Sequence, residues 1–456
     1  MDTPVCDFVA SYQRQGTVRM HMPGHKGRVL VGPEVLDITE IRGADELYRP
    51  EGILKRSEEN ASRLFGSGKT VYSVEGSSLC IRAMLMLACW RAREKGIPMR
   101  IAAGRNAHRT LMSAAALLGL EVRWVLPDPG EGLLSCSVTP EKVEAVLRRE
   151  QVMAVYVTSP DYLGHLTEIE ALARVCHRHD TLLLVDNAHG AYLHFLPQDL
   201  HPLSLGADMC CDSAHKTLPC LTGAAYLHLS AQLDKSLRSR AEDAMALFGS
   251  TSPSYLILQS LDMANAVLEG EFGVQLIRAV KRLDRLRQRL LERGWKLEGE
   301  EPLKLTLAAS RCGIEGTVLS DRLREQGIEC EFSDRDFVTL MPSAWTREED
   351  WQHLEQTLLC LPVKEALPSA LPSIGTPQQV CSIREAMLSP SREVPVEDAL
   401  GRILADAYSG CPPAVPVRIA GERLDREALH CFRYYGITTC RVLCKDPGEH
   451  CAQSGG

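Results

Sequence analysis

No run of apolar residues in this 456-residue chain is long enough to cross a bilayer. A stretch such as Ala83 to Trp90 falls far short of the roughly 20 residues a spanning helix needs, and reads instead as core helix. The N-terminus, Met1-Asp2-Thr3-Pro4-Val5-Cys6-Asp7, lacks the basic and apolar regions of a secretion signal. Positive charge is not in excess either. The net charge of -8 argues against nucleic acid or an anionic membrane as a partner. Cysteine is abundant, at 17, but no CxxC pair and no repeated Cys/His spacing occurs, which removes the usual signature of a zinc site, so no metal is expected. Without a secretion signal a disulfide framework is not expected. The cysteines read as small, reduced core residues of a cytoplasmic protein. Internal repeats and low-complexity tracts are missing.

A nucleotide-binding loop is missing too, despite a decoy. Gly66-Ser67-Gly68-Lys69-Thr70 resembles the end of a Walker A loop, but the first glycine of that motif would fall at Arg63. The order is also reversed: a helical run precedes the segment and a strand follows, whereas a P-loop joins strand to helix.

What is present is regular alternation. Residues 1 to about 60 look irregular, with turn signals at Pro23-Gly24 and Gly32-Pro33. Strands are then predicted at Thr70–Val74, Met99–Ala103, Glu121–Leu126, Val152–Thr158 and Thr181–Val185. Helices are predicted at Ser78–Lys95, Ala107–Leu118 and Glu168–His179, with a further one capped by Thr139 and opened by Pro140. Such β-α order means an α/β fold with a mostly parallel sheet covered by helices. Ser260 to Gly294 reads as long and mostly helical, and short strands follow at Leu303–Ala308, Glu329–Phe332 and Phe337–Met341. The expected organisation is an N-terminal segment (1–60), a large cofactor-binding domain (61–295), a small α+β domain (296–362), a proline-rich linker (363–379) and a C-terminal domain (380–456). The tail Gln453-Ser454-Gly455-Gly456 is expected to fray.

The chemistry concentrates at strand ends. The apolar run Thr181 to Val185 ends at Asp186, and the weaker run Ala207 to Cys211 leads into Ser213-Ala214-His215-Lys216. An acid and a lysine at the carboxyl ends of neighbouring strands suit pyridoxal 5'-phosphate (PLP). The lysine condenses with the cofactor aldehyde, and the acid keeps the pyridine nitrogen protonated so that the ring accepts electrons. That pairing points to amino-acid chemistry. An isolated lysine in a turn, or an acid capping the next helix, is the bland alternative. Ser213 and His215 are positioned to bond the cofactor phosphate or to cap the turn. Glu75-Gly76-Ser77-Ser78, between a strand and a long helix, offers backbone N–H groups, a close-approach glycine and two hydroxyls, as a phosphate cradle requires. Ser-Ser is also an ordinary helix cap. His108, opening another helix, is either a ring that stacks on the pyridine or a polar cap.

At these residues the chain resembles the Orn/Lys/Arg decarboxylase family, PLP enzymes of the aspartate-aminotransferase fold (fold type I). The resemblance extends over most of the chain and follows the family's order. It runs from His21-Met22-Pro23-Gly24-His25-Lys26-Gly27, through Asp37-Ile38-Thr39-Glu40 and Tyr48-Arg49-Pro50-Glu51-Gly52, to Glu75-Gly76-Ser77-Ser78 and Asn106-Ala107-His108-Arg109. It continues through Asp186-Asn187-Ala188-His189-Gly190, Ser213-Ala214-His215-Lys216 and Ser250-Thr251-Ser252-Pro253-Ser254-Tyr255 to Pro412-Pro413-Ala414-Val415-Pro416 with Gly421-Glu422.

The resemblance implies that Lys216 holds the cofactor, Asp186 pairs with the ring nitrogen and His108 stacks on the ring. Gly76, Ser77, Ser78, Ser213 and His215 would bind phosphate, and Ala188 and His189 would complete the cofactor site. It implies a homodimer acting on a small-molecule amino acid, with Ser250 to Ser252 as the cross-subunit contribution. The expected reaction is decarboxylation of lysine, arginine or ornithine to an amine and CO2, in a short form of the family without an N-terminal wing domain, often biosynthetic for polyamines. Lys216 or His215 would reprotonate Cα, and Glu51 and Glu422 are candidates to face the substrate's distal cation. Glu75 stands where many members have Asn, and Gly223-Ala224-Ala225 replaces more polar residues, so the substrate pocket is expected to differ. Another fold type I reaction, transamination or aldol cleavage, and a catalytically silent regulator or partner subunit are the competing readings.

Overall fold

The computed structural model describes residues 1–128, 130–368, 371–406 and 415–445. Pro412 to Ala414 and the Gln453 to Gly456 tail therefore lie outside the described residues. The central sheet has seven strands: β1 (Lys69–Ser73), β2 (Arg100–Gly104), β3 (Glu121–Val125), β4 (Ala154–Thr158), β5 (Leu182–Asp186), β6 (Met209–Asp212) and β7 (Ala225–Leu229). Their spatial order is β1-β7-β6-β5-β4-β2-β3. β7 runs antiparallel to both β1 and β6, and the remaining pairs are parallel. The sheet is thus mixed and mostly parallel, as the alternation predicts.

Period-two side-chain geometry explains how this sheet is buried on both faces. Leu182 and Leu184 of β5, with Ala154 and Tyr156 of β4, join one core, which includes Leu79, Cys80 and Met84 of the helix Ser77–Lys95. Leu183 and Val185, with Val155 and Val157, join the other, under the helices Pro140–Leu147 and Ile169–Arg178. Each fully buried Leu or Val contributes roughly 1.5–3 kcal/mol relative to exposure. By the same alternation Asp186 falls on the face of Leu184 and Tyr156. The strand that buries its leucines therefore delivers its terminal carboxylate to the side of the long helix. The helix Pro140–Leu147 starts as read: Thr139 Oγ1 accepts the Lys142 N–H at 3.3 Å.

One reading is corrected and another is sharpened. The first 60 residues are not irregular throughout: helices span Pro4–Arg14 and Ile53–Leu64. In the first, Pro4 opens the helix and Val5, Val9 and Tyr12 form a buried stripe. Its leading N–H groups, on Val5 and Cys6, donate to Asp262 Oδ2, each at 3.0 Å. A long-range carboxylate supplies the cap that no local residue provides. The span Ser260 to Gly294 is two helices, Tyr255–Glu269 and Phe272–Glu292. They are separated at Gly270, which cannot hold helical geometry cheaply.

Beyond them a four-stranded antiparallel sheet forms from β8 (Leu297–Glu298), β9 (Leu305–Ala308), β10 (Phe332–Ser333) and β11 (Phe337–Leu340) in the order β10-β11-β9-β8. A last pair, β12 (Ser391–Pro395) and β13 (Thr439–Leu443), packs with the helix Arg426–Tyr434 around Val442, Phe432 and Leu424.

Candidate active site

Loops leave the carboxyl ends of β1, β2, β4, β5 and β6 on one edge of the sheet, the position where open α/β sheets bind ligands. Asp186 is buried there. Its carboxylate accepts from Tyr156 Oη at 3.0 Å, from the Ala188 N–H at 3.3 Å and from Cys211 Sγ at 3.7 Å. All three donors are neutral, and no ion pair to Asp186 forms among the described residues. Lys216 sits in the short helix Ala214–Thr217 after β6. Its Nζ lies 2.8 Å from His189 Nε2 and 5.9 Å from the centre of the Tyr162 ring. Burial pushes the Lys216 amine below its ordinary value, and the Asp186 carboxylate opposes that.

His108 caps the helix Arg109–Leu118: its Nδ1 accepts the Thr110 N–H at 3.2 Å and lies 2.8 Å from Thr110 Oγ1. Burial lowers its proton affinity, with Asp186 raising it and Lys216 lowering it, so the ring shares the field of that pair. His215 Nδ1 donates to the Ala224 carbonyl at 2.9 Å, which leaves Nε2 as the acceptor of the neutral ring.

The loop after β1 forms a cradle. Gly76 precedes the helix Ser77–Lys95 at φ 72°, a left-handed conformation that suits glycine, and no side chain caps the helix. The first-turn N–H groups are thus left for another acceptor. Around them stand Ser77 Oγ, which accepts from Ser213 Oγ at 2.7 Å, and Ser78 Oγ, 3.1 Å from Thr110 Oγ1. The Gly76 N–H donates to the Gly223 carbonyl at 2.8 Å, and a Cβ on Gly223 would meet the Val74 carbonyl oxygen at 2.9 Å. That close approach accounts for glycine at 223. Ser250, expected at a subunit boundary, donates its N–H to Glu75 Oε1 of its own chain at 2.6 Å.

The structure thus gathers Lys216, Asp186, Ala188, His189, His108, Ser213, His215, Gly76, Ser77 and Ser78 at one sheet edge. It does not bring Glu51 or Glu422 there as free carboxylates. Glu51 is exposed in a turn where its N–H donates to Asp45 Oδ1 at 2.8 Å. Glu422 is buried and paired with Arg105 Nη2 at 2.9 Å, with the Ile419 N–H adding a bond at 2.8 Å. A carboxylate so engaged ties the C-terminal segment to the loop after β2, and its charge is already met by the Arg105 guanidinium.

Two groups at this edge escaped the sequence reading. Tyr156 was hidden in an apolar run. Lys304, just before β9, places its Nζ 3.1 Å from His189 Nδ1 and 2.8 Å from the Asp161 carbonyl. A lysine at the head of Leu305 to Ala308, all buried, was the available signal. Beside this edge lies a cavity of about 530 Å³, lined in part by Asn106, Thr158, Asp161 and His165.

Just below the edge, Asp212 accepts from Asn187 Nδ2 at 2.6 Å and faces His201 Nε2 at 3.1 Å and His228 Nε2 at 3.3 Å. Cys210, His201 and Asp212 lie at a spacing a metal ion would tolerate. Burial opposes the Asp212 charge, but the two histidines hold its carboxyl well below the usual carboxylate range. The cluster is an internal charge pairing that anchors Asn187 next to Asp186.

Residues 3–309 match the family model for the major domain of Orn/Lys/Arg decarboxylases. The chain belongs to the Orn/Lys/Arg decarboxylase family. It is 28% identical over 457 residues to the uncharacterized protein YaaO of Bacillus subtilis, covering 94% of this chain and 93% of that protein. It is 29% identical over 466 residues to the arginine decarboxylase of Halalkalibacterium halodurans, covering 94% and 93%. The structure of the constitutive lysine decarboxylase of Escherichia coli superposes with a TM-score of 0.77 at 17% identity, over 97% of this chain and 82% of that one. That likeness speaks for the fold, which is α/β of the PLP fold type I, as expected for this family.

Proposed function

We propose that this decarboxylase-family protein binds PLP and removes CO2 from a basic L-amino acid (lysine, arginine or ornithine), leaving the amine. The observation that carries the reading is the meeting of a lysine amine, Lys216, with a buried carboxylate, Asp186, whose only described donors are neutral. The donor set fits the cofactor. The uncapped first turn at Ser77 with the Ser77, Ser78 and Ser213 hydroxyls suits a phosphate, and Asp186 suits a protonated ring nitrogen. Bound there, the cofactor would supply an electron sink for the bond broken at the substrate Cα.

The chain's own residues do the rest. Tyr156, the Ala188 N–H and Cys211 orient the Asp186 carboxylate, and burial strengthens its hold on a proton at the ring nitrogen. His108, fixed by Thr110, presents a flat ring beside Asp186 and Lys216. Lys216 Nζ as an ammonium, or His215 once Nε2 has taken up a proton, delivers that proton to Cα after CO2 leaves. Exposed Val18, Met20, Val29, Leu30 and Val31 in the N-terminal segment form the kind of apolar surface that a second copy covers, which supports a homodimer.

Arginine is the first substrate to test, because relatives matched along nearly their whole length, such as that of Halalkalibacterium halodurans, bear the name arginine decarboxylase. Purified protein with PLP should release the amine and CO2 from one of the three amino acids. Keto-acid formation would assign an aminotransferase instead, and visible cofactor absorbance without turnover would assign a silent relative.

A further inference from the structure

His189 stands between two lysines, with Lys216 Nζ 2.8 Å from Nε2 and Lys304 Nζ 3.1 Å from Nδ1. A neutral imidazole carries one donor and one acceptor nitrogen, whereas an ammonium can only donate. Two ammonium groups cannot both bond one neutral ring. His189 is neutral: burial first, then the charges of Lys216 and Lys304, push it well below its ordinary value. One lysine must therefore offer a lone pair.

The surroundings decide which. Lys304 Nζ donates at 2.8 Å to the Asp161 carbonyl. Burial lowers the Lys304 amine, and the charges of Glu301, Asp161 and Glu331 oppose that. Glu301 is itself buried and accepts the Tyr192 hydroxyl. Lys304 thus has two acceptors and a neighbouring acid, the environment that keeps an ammonium. Facing Lys216 are Asp186 from the end of β5, His189 from the following loop, Tyr162 from the loop after β4, Cys211 from β6, His108 from the loop after β2, Glu331 at the start of β10, and Lys304. Its only described side-chain hydrogen bond is to the imidazole.

We propose that Lys304 and His189 are positioning residues that keep Lys216 Nζ an unprotonated amine in the cofactor-free site. Lys304 donates to Nδ1, which places the ring proton on Nε2, and Nε2–H then donates to the lone pair of Lys216. An ammonium has no lone pair with which to bond a carbonyl carbon, so the pair keeps the lysine competent for cofactor capture. This rests on the proposed function only in taking Lys216 as the cofactor lysine.

The test uses full-length protein stripped of cofactor. PLP is added back between pH 6 and 11, and the rate of return of the visible absorbance is followed. In the wild type the rate should be half-maximal well below the ordinary lysine value of about 10.4. Lys304→Met should move that midpoint up by about one unit, making capture about tenfold slower at pH 7.5 and converging on the wild type near pH 10.5. His189→Gln, whose amide also offers one acceptor and a donor, should stay within about threefold of the wild type. An unshifted Lys304→Met profile overturns the proposal, as does a His189→Gln shift as large as that of Lys304→Met.

If either variant fails to fold, labelling of wild-type Lys216 by trinitrobenzenesulfonate, located by mass spectrometry, still decides. A labelling midpoint at the ordinary lysine value overturns the proposal, and one well below it supports it. Wild-type protein that takes up no PLP at any pH refutes the functional reading instead, while the labelling midpoint still tests the lysine pair.

Discussion

Two clusters of acids and bases lie within a few residues of each other at one end of the sheet, and they are built on opposite plans. Around Asp212 the carboxylate meets bases and a donor from its own chain. Two histidines face the carboxylate, Asn187 donates to its other oxygen, and His228 Nδ1 reaches Thr70 Oγ1 at 2.8 Å. Around Asp186 the carboxylate receives only neutral donors, and the nearest base to Lys216 is a neutral imidazole. Burying charge without a partner is costly. A fold that meets the carboxylate of one cluster with bases from within the chain, and leaves the neighbouring carboxylate without a cation, reserves the second for a ligand. The same residue types thus serve as structure in one place and as chemistry in the other, and the difference is whether partners are supplied from within the chain.

The sharpest break of that comparison is Lys216→Ala. It should abolish the shift of the PLP absorbance that marks covalent capture and lower turnover by at least about 10³-fold, the scale on which deletion of a covalent group acts, while melting near the wild type. Asp212→Ala attacks the closed cluster instead. Removing one side of a buried pair should cost about 3–5 kcal/mol in urea denaturation, and a loss under 1 kcal/mol would mean that the histidines do not need it. Asp186→Asn keeps shape and removes charge: turnover should fall about 10²–10³-fold, as when a preorganised electrostatic partner is lost, with stability nearly unchanged. Ser213→Ala should weaken PLP retention about tenfold through one lost bond to a charged phosphate, measured by equilibrium dialysis. Thr139→Ala, outside both clusters, should cost about 1 kcal/mol by removing a helix cap, read as a small shift in the urea midpoint.

Much of the large fold was legible because its signals are local. Strand and helix limits at Glu121–Val125, Arg109–Leu118 and Ile169–Arg178 follow the apolar period closely. Failures occurred where the stabilising partner is distant. The helix Pro4–Arg14 is completed by Asp262, and no window around residue 4 contains that carboxylate. Glu422 read as available for a substrate because its buried partner, Arg105, lies in a different segment. Lys216 and Asp186 were legible because one closely follows a strand and the other ends one, where the chain leaves the sheet on the ligand side. Lys304 was not, since a single lysine before a short strand carries no mark of which cavity it enters.

By itself the amino-acid order determined the β-α alternation, the sheet edge at which the loops collect, and the identities of the acid, the lysine and the serines placed there, because side-chain period and strand polarity are properties of neighbouring residues. Only the tertiary structure decided which charges are spent and which are open. That outcome depends on groups brought together across the sheets (Glu422 on Arg105, Lys304 on His189), and electrostatic pairing acts through space at a few ångströms whatever the separation along the chain.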